Sequence, residues 1–211
     1  KAVMLADQAI RCGDAEVIIA GGMENMSQAP YYLLDSRTGM RIGHNKVIDS
    51  LIHDGLWDPY QDMSMGNCAE ILAKEENYNR EEQDEFALES YRRSLEAIKS
   101  GLYKDEIVPV LIPQKKGDPI IIDEDEEPNR GNPDKFKKLK PAFEENGTIT
   151  AANASSISDG AAALSVISNV KAEKIGISPL CKIIAQASVA HEPLYFTTAP
   201  GKAITKVIKK S

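Results

Sequence analysis

Apolar α/β patterning occupies both ends of the chain and encloses a long polar middle, which restricts the folds open to it. Ala2, Leu5, Ala6, Ala9 and Ile10 recur at helical spacing, and Gly13 stands where a helix terminates. Residues 16–22 follow as a β-branched run ending in Gly21-Gly22. That pattern predicts a buried strand whose tip lies close to another backbone. Helix followed by buried strand predicts a layered α/β structure. The same character resumes at residue 148. Residues 161–168 read as a second buried strand, 170–175 as a short helix closed by Gly176, and 180–189 as a further strand. Residues 197–211 form an amphipathic helix. The chain therefore leaves an α/β core and returns to it, with an insertion between.

Within the insertion, residues 27–57 read as loop and 65–74 as a helix. Asn79 followed by Glu82 has capping-box spacing. The helix it opens presents Phe86, Ala87, Tyr91, Leu95 and Ile98 on one face. It pairs Glu89 with Arg93 and Arg92 with Glu96, and it ends at Gly101. Residues 107–112 and 119–122 read as short strands whose prolines suit edges. Residues 123–147 are polar and charged. No side chain caps the first helix and no glycine ends the last, so the ends are expected to be those of a piece of a longer protein.

Composition excludes several classes. No segment approaches the ~20 apolar residues of a membrane span. Lys and Arg number 25 against 32 Asp and Glu, a net charge of −7 that argues against nucleic acid as a partner. Cys12, Cys68 and Cys181 are odd in number and far apart, which favours a reducing compartment over a disulfide scaffold.

Candidate chemistry is sparse. The basic cluster at residues 135–140 fits a phosphorylated small molecule, with Arg130 adding a planar donor fork, or a solvated loop balancing the acidic run before it. Gly21-Gly22 lacks the third glycine of a dinucleotide loop. The small residues 150–160 allow close approach of a ligand or ion, or simply a tight turn. Cys12 lies near a helix C-terminus, where a thiolate is disfavoured, and Cys68 and Cys181 read as buried. His44, His53 and His191 show no metal spacing. The residues alone thus give an α/β protein with a candidate site for an anionic small molecule, or a solvated basic loop, and no visible catalytic group.

Longer words carry more. Residues 21–31, GGMENMSQAPY, and 146–163, NGTITAANASSISDGAAA, resemble signatures of the thiolase family. So do Met65-Gly66-Asn67-Cys68-Ala69-Glu70 and the opening Lys1-Ala2-Val3, which is similar to the tail of that family's nucleophile motif. Residues 192–200 are similar to the biosynthetic, acetoacetyl-CoA type. The resemblance implies parts of two α/β core domains flanking an inserted α+β loop domain that holds coenzyme A. Residues 1–28 and 148–176 would belong to the N-terminal core domain, 29–147 to the loop domain, and 177–211 to the start of the C-terminal domain.

It further implies an acyltransferase that condenses two acetyl-CoA to acetoacetyl-CoA through an acyl-cysteine. The alternatives are a degradative 3-ketoacyl-CoA thiolase and a non-catalytic acyl-CoA or lipid carrier. The nucleophilic cysteine would precede Lys1, and the second cysteine and the histidine would follow Ser211, so no catalytic residue is expected within the chain. Coenzyme A contacts are implied for Tyr91, Arg130, Gly131, Asn132, Lys135, Ser155, Met65 and Phe196, and potassium ligation for Tyr91, Ala151, Ala152 and Ala154. Ser64 stands where many thiolases carry histidine, and Gly131-Asn132 departs from the mitochondrial type. A homodimer or homotetramer in the cytoplasm, alternatively the mitochondrial matrix, is implied.

Overall fold

The computed structural model describes all residues, Lys1–Ser211. In chain order the elements are α1 (Ala2–Cys12), β1 (Val17–Asn25), β2 (Tyr31–Tyr32), β3 (Ile48–Asp49), β4 (Trp57–Asp58), β5 (Met63–Ser64), α2 (Met65–Glu75) and α3 (Arg80–Ser100). There follow β6 (Val110–Ile112), β7 (Ile120–Ile122), α4 (Glu127–Arg130), β8 (Asp159–Ile167), α5 (Asn169–Ile175) and α6 (Ala199–Ile208). The chain divides into two compact units, Lys1–Met65 with Ile157–Ser211, and Gly66–Ser156.

The first unit is organised on an antiparallel ribbon. β1 pairs with β8 from Val17 opposite Ile167 to Asn25 opposite Asp159. A Cβ on Gly21 would collide with the Ala162 carbonyl oxygen, so the expected close approach of backbone is present. Helix α1 packs on the ribbon. It ends at Gly13, whose φ is 84°, with the Gly13 and Asp14 N–H groups donating to the Ile10 and Ala9 carbonyls. Two expectations need correction. Both ribbon strands form, but most of their residues are exposed, because two strands and one helix leave much of the ribbon uncovered.

Residues 180–189 do not form a strand. They find no backbone ladder, because the elements beside them are helices rather than a sheet edge. Side chains hold them instead. Arg11 Nη2 donates to the Ile183 carbonyl at 3.2 Å, Lys210 Nζ to that of Gln186 at 3.1 Å, and Lys206 Nζ to that of Ser188 at 2.9 Å. Gln186 Nε2 donates to the Asp7 carboxylate at 2.8 Å. Cys181 is consequently exposed, not buried, whereas Cys68 is buried as expected. Residues 27–57 are not simply loop, because they carry the 3-10 turns Met26–Gln28 and Leu34–Thr38, the π-helical turn Leu51–Leu56, the small pairing β2–β3 and, at their end, β4 with β5.

The second unit rests on α2 and α3. Asn79 and Glu82 form the expected capping box, and Gly101 ends α3 with φ 68°. β6 and β7 pair as a hairpin, each strand an edge, which suits the flanking prolines. The core holds Cys68, Ala73, Ala87, Phe136 and Ile149 together with Glu70, Asp84 and Thr150. Burying carboxylates is costly unless their oxygens are satisfied, and here they are. Glu70 accepts from the Thr148 and Ile149 N–H groups at 2.9 and 2.8 Å, and from the Thr148 hydroxyl at 3.0 Å.

Candidate functional site

The second unit gathers most of the residues singled out from sequence. Tyr91 lies on α3, seven residues beyond Asp84 and so on the same face. Its ring meets the buried Phe136 edge to face, with centroids 5.5 Å apart and planes at 80°. Its hydroxyl donates to Glu127 Oε1 at 3.3 Å. Burial first, and then the Glu127 carboxylate, pushes the Tyr91 phenol above its ordinary value of 10.0. Gly131 follows α4 and passes over the same ring, where a Cβ would lie 2.5 Å from Tyr91 Cε1. Close passage over an aromatic is why glycine is needed here.

Beyond Gly131 the chain turns in a 3-10 helix, Pro133–Lys138. The Asn132 carbonyl accepts from the Lys135 N–H at 3.0 Å, which opens the turn. Phe136 is its one buried residue, so the turn is pinned by an apolar plug while Arg130, Asn132 and Lys135 remain at the surface. Arg130 Nη2 meets Glu126 at 2.8 Å, an exposed i,i+4 pair that water and a competing anion can displace. The loop is therefore anchored on its buried side by Phe136, and its exposed side carries Lys135, Lys137 and Lys138 together with Asp134.

Residues 150–154 form a tight turn. The Thr150 carbonyl accepts from the Ala154 N–H at 3.0 Å, and Asn153 Oδ1 accepts from the Thr150 N–H at 2.7 Å. Such a turn presents backbone carbonyls, and hard cations are bound by oxygen. Ala151 and Ser155 are exposed, while Ala152 and Ala154 are half-buried. No group of three or more His, Cys, Asp or Glu residues is arranged to hold a metal.

Met65 and Phe196 lie apart from this set in the division of the chain. Met65 opens α2, and Phe196 sits half-buried in the turn Pro193–Thr198. In the first unit, two of the signature segments meet. The Ser27 N–H and hydroxyl donate to the two Asp159 oxygens at 2.9 and 2.5 Å, joining the end of β1 to the start of β8. Ser27 thereby holds the Asp159 carboxyl below its ordinary value. Sequence reasoning missed Arg80, Asp84 and Gln83, whose side chains tie the two loops of the second unit together. The Arg80–Asp84 pair has i,i+4 spacing, which is its only sequence signal.

A family described as thiolase, N-terminal domain, matches residues 1–170. The chain belongs to the thiolase family. It is 51% identical over 211 residues to an acetyl-CoA acetyltransferase of Yarrowia lipolytica, with 100% of this chain and 52% of that protein covered. A Pseudomonas aeruginosa acetyl-CoA acetyltransferase is 48% identical over 212 residues, covering 100% and 54%. The crystal structure of the Bacillus anthracis acetyl-CoA acetyltransferase matches with a TM-score of 0.93 at 37% identity, over 99% of this chain and 53% of that one. The thiolase fold is thus present. The chain spans about half the length of the curated relatives it matches.

Proposed function

We propose that this chain is the coenzyme-binding part of an acetyl-CoA C-acetyltransferase, which condenses two acetyl-CoA to acetoacetyl-CoA and reverses the reaction. Support comes from relatives of that name matched along the whole chain. The observation that carries it is the Gly131 backbone laid over Tyr91, with Phe136 as a buried plug and Arg130 and Lys135 left outward. A fixed inner face with a cationic outer face is what a phosphorylated coenzyme needs.

In this reading Arg130, Gly131, Asn132 and Lys135 hold the nucleotide end, Ser155 lies by the pantetheine, and Met65 and Phe196 line the acyl pocket. Tyr91 contacts both coenzyme and ion. The carbonyls of Ala151, Ala152 and Ala154 with the Tyr91 hydroxyl would hold potassium, which supplies positive charge beside the coenzyme. Residues 29–147 act as the loop domain, 1–28 and 148–176 as the N-terminal core domain, and 177–211 as the start of the C-terminal domain. The nucleophilic cysteine lies in the part of the family's length that this chain does not span. These residues contribute positioning of the thioester, which converts a bimolecular encounter into an oriented one.

No helix is long and apolar enough to cross a membrane. Three cysteines that form no disulfide fit a reducing compartment, the cytoplasm or the mitochondrial matrix. A homodimer or homotetramer is the assembly we assign. The test uses the full-length enzyme. Lys135→Ala should weaken coenzyme A binding about fivefold to tenfold, the loss of one charged contact, with little change in the rate of acyl-enzyme formation. An unchanged dissociation constant argues against the phosphate role.

A further inference from the structure

Asp84 is nearly fully buried on α3, yet neither the coenzyme loop nor the carbonyl turn contains it. Its two oxygens face different segments. Oδ2 accepts from Arg80 Nε at 2.8 Å, and Oδ1 accepts from Asn153 Nδ2 at 3.0 Å. Arg80 then donates from Nη2 to the Phe136 carbonyl at 2.6 Å and from Nη1 to the Leu139 carbonyl at 3.1 Å. Asn153 also donates to the Thr148 carbonyl at 3.1 Å while its Oδ1 accepts from the Thr150 N–H. One carboxylate therefore fixes residues 136–139 through Arg80 and residues 148–153 through Asn153.

We propose that Asp84 is a positioning residue that holds the Pro133–Lys138 loop and the Ala151–Ala154 turn in one fixed relation, so that loosening either loosens the other. The physical basis is the cost of a buried carboxylate. With both donors in place its charge is compensated; with either removed, an oxygen is left short of partners and the remaining contact must rearrange. Tyr91 reports the result, because its ring rests on Phe136, whose carbonyl Arg80 holds. The ligand roles of the two segments rest on the proposed function, whereas the mechanical link rests on the hydrogen bonds alone.

Hydrogen–deuterium exchange of the full-length enzyme tests the link without reference to ligands. Asp84→Asn keeps the shape and removes the charge. It should speed amide exchange about tenfold in both residues 135–139 and residues 150–154, since coupling between linked sites typically spans about 5- to 150-fold. Faster exchange in one segment only, or in neither, overturns the proposal. Should Asp84→Asn not fold, Asn153→Ala and Arg80→Lys decide. Each should speed exchange in the other's segment as well as its own, and effects confined to the altered side overturn the link. Coenzyme A affinity in the same variants separates the two ideas. A link seen by exchange with coenzyme A affinity unchanged overturns the assignment of this loop to the coenzyme and leaves Asp84 as the anchor of both segments.

Discussion

A methyl group on Gly131 would lie 2.5 Å from Cε1 and 2.7 Å from Cδ1 of Tyr91, and the ring has little room to retreat because it rests on buried Phe136. Gly131→Ala is therefore expected to destabilise by about 1–3 kcal/mol, the usual cost of overpacking, and to weaken coenzyme A binding in the full-length enzyme. Thermal unfolding and a binding titration check both halves, and a variant with the parent's midpoint contradicts the tight approach. Asp159 makes a prediction about pH. Its carboxyl is held below the ordinary value of 3.8, chiefly by the Ser27 hydroxyl. A depressed folded-state value means that the stabilisation is complete above 3.8 and is lost as pH falls through the folded value. The gap in unfolding midpoint between the parent and Ser27→Ala should thus hold steady down to about pH 5 and shrink on further acidification; a gap that widens in acid reverses the assigned sign. At this scale the sequence was partly legible. The signature words contain Ser155, whereas Tyr91 and Gly131 lie outside them and rest on the wider resemblance, and a charged residue on a helix reads as a solvated one. Asp84 and Glu70 are buried only because segments some 70 residues away donate to them.

Among the elements, those whose signals are local were the legible ones. The α3 capping box is reciprocal, with Asn79 Oδ1 accepting from the Glu82 N–H at 2.9 Å and Glu82 Oε2 accepting from the Asn79 N–H at 3.0 Å. Further along α3, Arg92 at i,i+3 first and then Arg93 at i,i+4 hold the Glu89 carboxyl down to about 2, and only the Arg93 pair is the one the spacing anticipates. Asn79→Ala should cost about 1 kcal/mol of stability, the typical cost of losing a cap. Urea unfolding measures it, and Asn79→Gly should restore most of the difference because glycine tolerates the cap conformation. Residues 180–189 failed for the opposite reason. An apolar β-branched run records a preference for extended backbone. A strand also needs a neighbouring edge, and which neighbour is present is a non-local matter that periodicity does not encode. Here Arg11 on α1, Lys206 on α6 and Lys210 just beyond α6 reach its carbonyls in place of a ladder.

For the whole molecule the decisive quantity is uncovered apolar surface. The 23.1 kDa chain exposes 16627 Å², against about 9,700 Å² for a folded monomer of that mass. Large apolar side chains on the ribbon contribute to the excess. Ile19, Met23 and Leu164 on the β1–β8 ribbon are 70%, 79% and 58% exposed. Ribbon strands read from their residues as buried are thus correct about chemistry and incorrect about coverage within these 211 residues. Surface on this scale is not compatible with a well-behaved solitary monomer. The isolated 211-residue chain should bind a hydrophobic dye strongly, associate at micromolar concentration and unfold without a sharp transition. On the proposed reading it should also fail to cleave acetoacetyl-CoA, because that reading assigns the nucleophile to none of its three cysteines. Cys68 is buried, Cys12 ends a helix, and Cys181 lies in a segment held by side chains alone. On the proposed reading coenzyme A would still find the inner face of the 130–138 loop formed, since Phe136, Tyr91 and Gly131 are joined by contacts within residues 66–156. Weak, measurable binding of coenzyme A without turnover is therefore the expected behaviour of the chain alone. Thiolysis by the purified chain would refute the absence of a nucleophile, and a sharp unfolding transition without dye binding would refute the surface argument.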